Sequence, residues 1–594
     1  MLRILIITTI VYCCYNILIY MFDVIVIGGG HAGVEAAHAV FRQGLSCCLV
    51  TFSTETVGQM SCNPAMGGIA KGQIVREIDA LGGYSGIVSD LSAIQFKMLN
   101  KSKGPAMWSP RTQNDRMRFA EEWRLALERT SNVDFYQDMV SSLIIEGNTV
   151  TGVKTSLGIP IYGKSVVLTN GTFLNGLIHI GERQLGGGRA GEKASSGITE
   201  QLVALGFESG RMKTGTPPRV DGRSLDYSVM IPQPGDAQPE KFSYTNTKPL
   251  ATQRDCHMTH TSSLVHDLLR GGFDRSPMFN GSIQSLGPRY CPSIEDKINR
   301  FADKDSHQLF VEPEGWDTVE VYVNGFSTSL PEEVQFKALR SVKGFGKVKF
   351  FRPGYAIEYD YFPPTQLTHS LETKLISGLF FAGQINGTTG YEEAAAQGII
   401  AGINASIKLN NNPKWFLLDR SEAYIGVMID DLITRGAPEP YRMFTSRAEF
   451  RLLLRSDNAD QRLTEKGIKF GVVGNKRKVL WNIKNNELKH ANEIMDKLTA
   501  KPSELKKYEL PFTRTGQSRK PKDILSSGEY HIKDLISLWP DLKKISNNLH
   551  SQLETDCRYD VYLKRQKEDI NAYQKENNIN IPLNVDFNKV KGLS

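Results

Sequence analysis

One cysteine of this chain lies where a reactive thiol is expected. Cys62 stands in the segment GQMSCNPAMGG, residues 58–68, which is too irregular for a strand interior and too rich in glycine for a helix. Cysteine is intrinsically nucleophilic even when only a few per cent of it is ionised at neutral pH. Backbone N–H groups of the loop, Lys71 and a helix beginning after Gly72 would favour the thiolate. Core packing is the competing interpretation, because free cysteine is among the most buried residue types, and the residues alone do not decide between the two.

A dinucleotide-binding loop precedes this cysteine. Gly28, Gly30 and Gly33 form GxGxxG between a β-branched strand predicted at residues 22–29 and a helix predicted to end at Gly44. The first glycine allows the tight turn, the second lets the backbone approach a pyrophosphate, and the third lets the helix pack closely. The helix N-terminus then stabilises the phosphate charge.

A second stretch favours a flavin dinucleotide over a nicotinamide one. The segment FFAGQINGTTG, residues 380–390, repeats the order of strand, glycine turn and helix, with Gln384 where an aspartate usually follows the glycine. A neutral amide still hydrogen-bonds to a pyrophosphate or ribityl chain. The acidic residue that usually holds the ribose is absent after the second strand, where the sequence reads VTF at 50–52. Glu55 is either its substitute or a solvated loop carboxylate.

The elements that must position these residues suggest an α/β fold of several domains. A chain of 594 residues is too long for one core, and its formal charge of +7 permits but does not require a polyanionic partner. Its eight cysteines show no CxxC pair, which argues against a disulfide framework or a zinc site. The predicted fold is a two-dinucleotide-binding FAD domain with an inserted α/β domain and a C-terminal helical domain. The predicted divisions are a hydrophobic leader at 1–21, the first part of the FAD domain at 22–205, an inserted NADH or substrate domain at 206–350, the second part of the FAD domain at 351–410 and a helical tRNA- and partner-binding domain at 411–594.

The leader is long enough to span a membrane. It runs without a linker into the predicted buried strand, and it shows no small-residue cleavage site. We therefore predict a non-functional extension ahead of Met21, with an anchor or signal as the alternative.

Six segments carry a resemblance to a known family. They read IGGGHAGVEAA, GQMSCNPAMGGIAKG, GPRYCPSIEDK, RPGYAIEYD, FAGQINGTTGYEEAAAQG and EPYRMFTSRAEFRLLLRSDNAD. From about residue 22 to the C-terminus the chain closely resembles the MnmG (GidA) family of FAD-dependent tRNA-modifying enzymes. The family's helical region extends past the residues that match this chain's end, so we expect a truncated or naturally short C-terminus, which leaves the binding of partners open.

The resemblance implies an activity on the wobble uridine (U34) of tRNA. Together with the GTPase MnmE, such an enzyme adds an aminomethyl or carboxymethylaminomethyl group to uridine C5. The one-carbon unit comes from methylene-tetrahydrofolate, the amine from ammonium or glycine, and NADH re-reduces the flavin. A cytoplasmic homodimer that forms a heterotetramer with MnmE is implied, with no membrane and no metal.

The resemblance also assigns site residues. The catalytic pair is Cys62 and Cys291. The FAD residues are Gly28, Gly29, Gly30, His31, Ala32, Gly33, Val140, Ser195 and Gln384. The NADH segment contributes Gly287, Pro288, Arg289, Tyr290 and Phe301.

Two thiols suit this chemistry. Uracil C5 is a poor nucleophile until a group adds to C6, and a thiolate is a suitable group for that addition. Which cysteine attacks C6, and which acts as acid, base or one-carbon carrier, stays open. Arg289 precedes Cys291 closely enough to hold a thiolate or a phosphate.

Basic residues suggest a surface for RNA. Arg447, Arg451 and Arg455 recur every fourth residue, which predicts a basic stripe on one helix face. Phosphate contact and pairing with neighbouring carboxylates are equally compatible with it. Arg211 and Lys213 are further candidates on loops. Cys256 with His257 and His260 is interpreted as a polar loop rather than a metal site, because no fourth ligand is near.

Two other functions remain in competition. A folate- and FAD-dependent tRNA uridine-5-methyltransferase of the TrmFO type shares the fold and a related thiol chemistry, but has less need for a long helical tail. A flavin-stabilised RNA-binding scaffold without turnover would leave both cysteines dispensable. A plain dehydrogenase gives no account of two loop cysteines beside basic segments.

Overall fold

The computed structural model describes residues 20–285, 287, 292–410, 413–511, 516–577, 579 and 585. Its strands are β1 Tyr20–Ile27, β2 Cys47–Thr51, β3 Ala65–Gly67, β4 Ala93–Leu99, β5 Ser109–Asn114, β6 Val133–Gln137, β7 Val140–Glu146, β8 Thr149–Thr155, β9 Pro160–Leu168, β10 Leu177–Ile180, β11 Arg183–Gly186, β12 Gly210–Thr216, β13 Arg219–Asp221, β14 Ile231–Gln233, β15 Cys256–His260, β16 Gln308–Pro313, β17 Glu320–Asn324, β18 Phe350–Arg352, β19 Tyr355–Tyr361 and β20 Leu379–Phe381.

The α-helices of the described residues are α1 His31–Arg42, α2 Lys71–Ala80, α3 Ser85–Ser92, α4 Arg116–Glu128, α5 Ile198–Ala204, α6 Ser263–Arg270, α7 Ile294–Arg300, α8 Glu332–Arg340, α9 Tyr391–Ile407, α10 Tyr424–Arg435, α11 Ala459–Lys469, α12 Asn475–Lys497, α13 Pro502–Lys507, α14 Pro521–Leu525, α15 Ile532–Leu535 and α16 Asn547–Asn577. Among the parts of the chain that the structure describes, no helix is both long and apolar enough to cross a membrane.

A largely parallel sheet forms the first layer. Its order is β6-β2-β1-β9-β8-β7, and β20 pairs in parallel with β9. Residues 24–27 of β1 are buried on both faces, as their β-branched sequence predicts. The pairing of β20 with β9 returns the chain to this sheet after an excursion of about 200 residues. The predicted α/β fold class is confirmed.

Close packing of α1 against α9 positions both helix N-termini. A Cβ atom added to Gly398 would lie 2.0 Å from the carbonyl oxygen of Ala32, and one added to Gly402 would lie 2.5 Å from that of Ala36. Only glycine permits this approach of one helix to the backbone of the other. The two helices therefore begin side by side, at the edge of the sheet where β1 and β20 end.

A separate sheet lies within the excursion. Its order is β14-β15-β16-β17-β13-β18, and its own hydrophobic core includes Val311, Val323 and Phe345. A four-stranded sheet of order β11-β10-β19-β12 belongs to the segments that lead into and out of it.

The C-terminal helices divide between two cores. Residues of α10 and α11, including Leu432 and Leu463, pack into the same core as the parallel sheet. The core of the later helices begins at Leu488 and extends to Cys557. The segment at 413–472 is therefore part of the body built on the parallel sheet, and the helical unit lies C-terminal to it.

Candidate functional site

A cavity of about 660 Å³ opens where the parallel sheet, α1, α9 and the inserted sheet meet. This volume is typical of a ligand site. The glycine-loop residues Gly28 to Ala32, the loop that carries Cys62, and Asn324 of β17 all line it. The sequence-predicted cofactor loop and the sequence-predicted nucleophile thus face one space.

The glycine loop has the geometry of a dinucleotide cradle. Gly28 has a φ of +101°, and a Cβ added to Gly33 would lie 1.8 Å from the carbonyl oxygen of Gly28. Gly30, at the N-cap of α1, would direct a Cβ into open space. A phosphate group therefore has room beside the backbone at Gly30, next to the N-terminus of a twelve-residue helix. These residues fit the pyrophosphate of FAD.

The more distant FAD candidates also reach the cavity. Val140, Ser195 and Gln384 line it, and the amide Nε2 of Gln384 lies 3.5 Å from the hydroxyl oxygen of Tyr359. Glu55 is exposed and does not contribute to the lining. The interpretation of Glu55 as a solvated carboxylate is therefore the better one.

His31 presents an unpartnered ring to the cavity. Its side chain is buried and stacks on Tyr391 with a centroid separation of 4.2 Å. Neither ring nitrogen has a hydrogen-bond partner among the described residues. Burial lowers the pKa of His31 to about 4, so the ring is neutral at physiological pH. A neutral imidazole supplies one donor and one acceptor to a bound group.

Cys62 lies half-buried at the junction of two domains. Its backbone N–H donates to the hydroxyl oxygen of Tyr391 at 2.5 Å, and its sulfur lies 3.3 Å from the hydroxyl oxygen of Tyr322. Tyr391 begins α9 of the FAD domain, whereas Tyr322 belongs to β17 of the inserted sheet. The thiol is accordingly at a cavity wall and is not sealed among aliphatic side chains.

A buried guanidinium group supports the Cys62 loop from behind. Arg219 is fully buried, donates to the carbonyl oxygen of Cys62 at 2.6 Å and pairs with Glu314 at 2.5 Å. Its charged group also lies over the Tyr322 ring, 4.4 Å from the centroid. Burial opposes the charge, but Glu314, Tyr322 and Cys62 together raise the pKa of Arg219 above its usual value. The attraction is mutual, so this fixed charge also stabilises a thiolate at Cys62.

Lys71 has a different role from the predicted one. Helix α2 begins at Lys71, two residues before the predicted start, and the Lys71 ammonium pairs with Glu392 at 2.8 Å and Glu393 at 2.9 Å. Glu392 also accepts from the backbone N–H of Gly67 at 2.6 Å. Two carboxylates neutralise Lys71, and the network fixes the Cys62 loop onto α9. The charge contacting the backbone of Cys62 comes instead from Arg219.

The predicted NADH segment is described only in part. Cys291, Pro288, Arg289 and Tyr290 lie outside the described residues. A Cβ added to Gly287 would lie 3.3 Å from Cδ of Lys213, which places this residue against β12 of the four-stranded sheet. Phe301 is the C-cap that follows α7; its side chain is exposed and does not line the cavity. Their roles toward NADH stay predictions.

The predicted basic helix is wrong. Residues 445–447 form one 3₁₀ turn, and the chain continues through turns to residue 455. Arg455 is buried and pairs with Asp457 at 3.0 Å and with Asp556, which ties α16 to this segment. Arg447 stacks on the Tyr441 ring at 4.3 Å, whereas Arg451 is exposed. The ion pair of Arg455 with the distant Asp556 holds this segment in turns, although the four-residue spacing of the arginines had predicted a helix.

The other RNA candidates divide in the same way. Arg211 is partly exposed and pairs with Asp360 at 2.6 Å. Lys213 is buried, and its ammonium lies 2.9 Å from the sulfur of Met278. Buried Lys213 and Arg455 are therefore outside any surface that RNA phosphates reach directly, and only Arg211, Arg447 and Arg451 remain candidates.

Some site residues carried little sequence signal. Tyr391 and Glu392 stand within the quoted segment GTTGYEEAAAQG, but nothing local identifies their partners. Tyr322 and Arg219 meet Cys62 through the strand pairing of the inserted sheet, a contact that no sequence motif predicts. Cys256–His260 forms strand β15 rather than the predicted polar loop.

Comparison with known proteins agrees with this geometry. The family described as "Glucose inhibited division protein A" matches residues 23–413, and the family "tRNA modifying enzyme MnmG/GidA C-terminal helical domain" matches residues 476–567. A protein of Christiangramia forsetii named "tRNA uridine 5-carboxymethylaminomethyl modification enzyme MnmG" is 63% identical over 585 residues, covering 96% of this chain and 93% of the relative. A protein of the same name from Karelsulcia muelleri is 55% identical over 578 residues, with the same coverage of both chains.

Solved structures show the same relationship. The structure of Aquifex aeolicus GidA in one crystal form matches with a TM-score of 0.87 and 42% identity, covering 97% of this chain and 92% of that chain. A second crystal form gives the same TM-score at 43% identity. The resemblance expected from the six sequence segments is thereby confirmed, and this chain belongs to the MnmG (GidA) family.

Proposed function

We propose that this chain is an FAD-dependent tRNA-modifying enzyme that installs an aminomethyl or carboxymethylaminomethyl group on C5 of wobble uridine. The names printed for its relatives support this activity, since they describe the enzyme of tRNA uridine 5-carboxymethylaminomethyl modification. The structural observation that best supports this activity is that Cys62 and the dinucleotide loop line the same cavity. A dehydrogenase does not require a nucleophilic thiol at that position.

The residues that would hold FAD are those of the cradle. Gly28 to Gly33 and the N-terminus of α1 receive the pyrophosphate, while Val140, Ser195 and Gln384 bound the same cavity. When bound, the flavin supplies the redox equivalents that the modification needs. NADH is proposed as its reductant and methylene-tetrahydrofolate as the one-carbon donor.

The chain's own chemistry centres on sulfur. A thiolate adds to uracil C6, forming an S–C6 bond while the C5–C6 π pair moves onto C5 and its conjugated carbonyl. C5 then attacks the one-carbon electrophile, loses its proton to a base, and the thiolate leaves as the C5–C6 double bond returns. Cys62 is positioned for this addition because it lines the cavity beside Tyr322 and above buried Arg219. Cys291 is the second thiol of the proposal.

Partners belong to the proposal as well. The substrate is tRNA, whose anticodon base must leave its stack to enter the cavity. A GTPase of the MnmE type is proposed to bind the helical unit that begins near residue 476, in a complex with a homodimer of this chain. We propose the cytoplasm as its location.

Mass spectrometry of tRNA nucleosides tests the function directly. The gene is placed in a cell that lacks its own homologue but retains the GTPase partner, and nucleosides from the wobble position are analysed. Wild type should restore the aminomethyl or carboxymethylaminomethyl uridine, and Cys62→Ala should not. Cys256→Ala is the matched control, because it removes a buried thiol of the inserted sheet away from the cavity lining. Appearance of 5-methyluridine in the T-loop would instead support the methyltransferase, and full restoration by Cys62→Ala would support the scaffold.

A further inference from the structure

A smaller chamber adjoins the main cavity on the side of the inserted sheet. Its volume is about 140 Å³, and Gln59, Ser61, Thr216 and Tyr355 line both spaces. By liquid volume it accommodates four to five waters at about 30 Å³ each. We call this chamber the arginine annex, because Arg116, Arg189, Arg219 and Arg352 contribute to its wall.

Strand register explains how two of these arginines meet. Tyr322 of β17, Arg219 of β13 and Arg352 of β18 are successive cross-strand partners. Directly opposed residues of neighbouring strands present their side chains on one face of a sheet. The inserted sheet therefore directs a row of one tyrosine and two arginines toward the Cys62 loop. The third arginine, Arg116, begins α4 of the FAD domain and donates to the carbonyl oxygen of Met60 at 2.8 Å.

The carboxylates nearby do not neutralise the annex. Glu314 pairs with Arg219 and Arg116, Glu192 pairs with Arg189, and Glu320 lies 3.3 Å from Arg352. Four guanidinium groups against three carboxylates leave one positive charge even when every carboxylate is ionised. Burial is the main cause that lowers the pKa of Arg352, and the like charge of the neighbouring Arg219 lowers it further. An anion in the annex relieves that repulsion.

A polar atom that lacks a partner in the described part of the chain belongs to a residue of the annex wall, Gln59. The side-chain oxygen of Gln59 is buried and has no hydrogen-bond partner among the described residues. The amide of glutamine carries two N–H donors and one acceptor, and turning the group exchanges them. Guanidinium forks and an amide N–H are the donors that bind carboxylates, and arginine does so with two parallel hydrogen bonds.

We propose that the arginine annex binds the carboxylate of glycine and so holds the amine that enters the carboxymethylaminomethyl group. This inference rests on the proposed function. The annex has room for a molecule of glycine's size. The walls that it shares with the main cavity, Ser61 and Thr216, place the amine of a bound glycine next to Cys62. Ammonium has no carboxylate and does not depend on the annex.

Direct binding is the first test. Equilibrium dialysis with radiolabelled glycine uses the full flavin-loaded chain as wild type, Arg352→Met, Arg352→Lys and Arg340→Met. Arg352→Met should weaken glycine binding at least about tenfold, the effect of losing one charge-assisted hydrogen-bonding group. Arg352→Lys should be intermediate because it keeps the charge and loses the fork. Arg340→Met, which removes an exposed arginine of α8, should bind as wild type does. Unchanged binding in Arg352→Met, or no binding by wild type, overturns the proposal.

Product partition is the second test and separates the annex from the overall function. Reactions with tRNA and the GTPase partner contain both ammonium and glycine, and the ratio of the two modified uridines is measured. Arg352→Met should shift that ratio at least about tenfold toward the aminomethyl product, and an equal loss of both products overturns the proposal. If wild type forms neither product, the proposed function fails while the dialysis result still reports on the annex.

A folate carboxylate is the competing source of the same chemistry. Tetrahydrofolate is therefore dialysed against the same variants. Weakened tetrahydrofolate binding with unchanged glycine binding in Arg352→Met assigns the annex to the folate and overturns the proposal for glycine.

Discussion

The sulfur of Cys62 lies 3.3 Å from the hydroxyl oxygen of Tyr322, so the cysteine loop of one domain meets the inserted sheet of another at the candidate nucleophile. The same sheet supplies Arg219, whose guanidinium donates to the Cys62 carbonyl at 2.6 Å. The environment of the thiol is therefore assembled by domain packing. Its reactivity depends on the inserted domain as much as on the loop that carries it.

Removal of the Tyr322 hydroxyl should lower the reactivity of Cys62. A hydroxyl at this distance stabilises a thiolate by hydrogen bonding, and loss of one such bond costs about 1 kcal/mol, or about fivefold in a rate. Tyr322→Phe should therefore slow alkylation of Cys62 by iodoacetamide and slow tRNA modification by about that factor, with flavin content unchanged. Peptide mass spectrometry of the alkylated site gives the first rate.

Tyr227→Phe is the control for this experiment. It removes a hydroxyl from the same inserted domain, at a residue packed on His257 rather than on the cavity. Equal alkylation rates at Cys62 in wild type and Tyr322→Phe would show that the contact has no influence on the thiol.

Three glycine substitutions should separate cofactor binding from folding. Gly30→Asp should give a folded protein without yellow colour, because its side chain enters open space and its carboxylate repels a pyrophosphate. Gly30→Ala should keep part of the flavin, since a methyl group adds bulk without charge. Gly33→Ala should lower the melting temperature even of flavin-free protein, because its Cβ would meet the Gly28 carbonyl at 1.8 Å.

Flavin absorbance per protein and circular dichroism check this series. Equal flavin content in Gly30→Asp and wild type would contradict the assignment of the cradle. An unchanged melting temperature in Gly33→Ala would contradict the proposed role of that glycine in packing α1.

The sequence predicted the parts of this site that local geometry dictates. The spacing of Gly28, Gly30 and Gly33 follows from the needs of a phosphate loop. The segment around Cys62 is an irregular loop at residues 59–64, as its sequence indicated, although Ala65–Gly67 of the same segment form strand β3. These features are local, so a single segment contains the evidence for them.

The parts that the sequence did not predict arise from contacts between distant segments. Arg219 lies 157 positions from Cys62, and no local sequence pattern distinguishes it from other arginines. Arg455 lies 101 positions from Asp556, and that ion pair holds its segment in turns where four-residue spacing had predicted a helix. The burial of a charged residue can be predicted from sequence only when its ion-pair partner is known. Local sequence patterns do not identify a partner that lies in a distant segment.

Loss of Lys71 should destabilise the body that holds the cofactor. Lys71→Met leaves Glu392 and Glu393 buried without their counter-ion, and breaking such a buried pair costs about 3–5 kcal/mol. Lys164→Met removes an exposed lysine paired with Asp23 and should cost less than about 1 kcal/mol. Chemical denaturation of both variants gives the comparison, and similar losses in the two would contradict the role of the buried network.

The same network has a predictable pH dependence. Burial opposes ionisation of Glu392, but the charge and hydrogen bond of Lys71 lower its pKa below the usual value. A carboxyl with a depressed folded-state pKa contributes stability above its unfolded pKa, and that contribution is lost as the pH falls through the folded value. The destabilisation caused by Lys71→Met should therefore shrink at pH values below about 4.5. A difference that stays constant down to the acid transition would show that the ion pair is not its source.

Glu35 should produce the opposite dependence. This carboxyl is fully buried in α1, and burial raises its pKa from 4.5 to about 7 despite hydrogen bonds from Ser85 and Tyr84. Between those values the folded state holds a proton that the unfolded state has lost, so the carboxyl's contribution to stability falls as the pH rises. The shift corresponds to about 3 kcal/mol at about 1.36 kcal/mol per pKa unit. Glu35→Gln should therefore gain stability relative to wild type by about that amount from pH 4.5 to pH 7.

Thermal unfolding midpoints across this range measure the difference, and Glu200→Gln provides a control whose pH dependence lies below this range. Glu200 caps α5, and backbone hydrogen bonding at its own residue, followed by Asn175, lowers its pKa. Its contribution is complete above about pH 4.5 and is lost as the pH falls through the lower folded-state pKa, so the cost of Glu200→Gln should stay constant from pH 4.5 to pH 7. Parallel pH profiles for Glu35→Gln and Glu200→Gln would contradict the assignment of Glu35 as a buried carboxyl that is protonated below pH 7. The two stability profiles must diverge if burial shifts the pKa of Glu35 and hydrogen bonding shifts the pKa of Glu200.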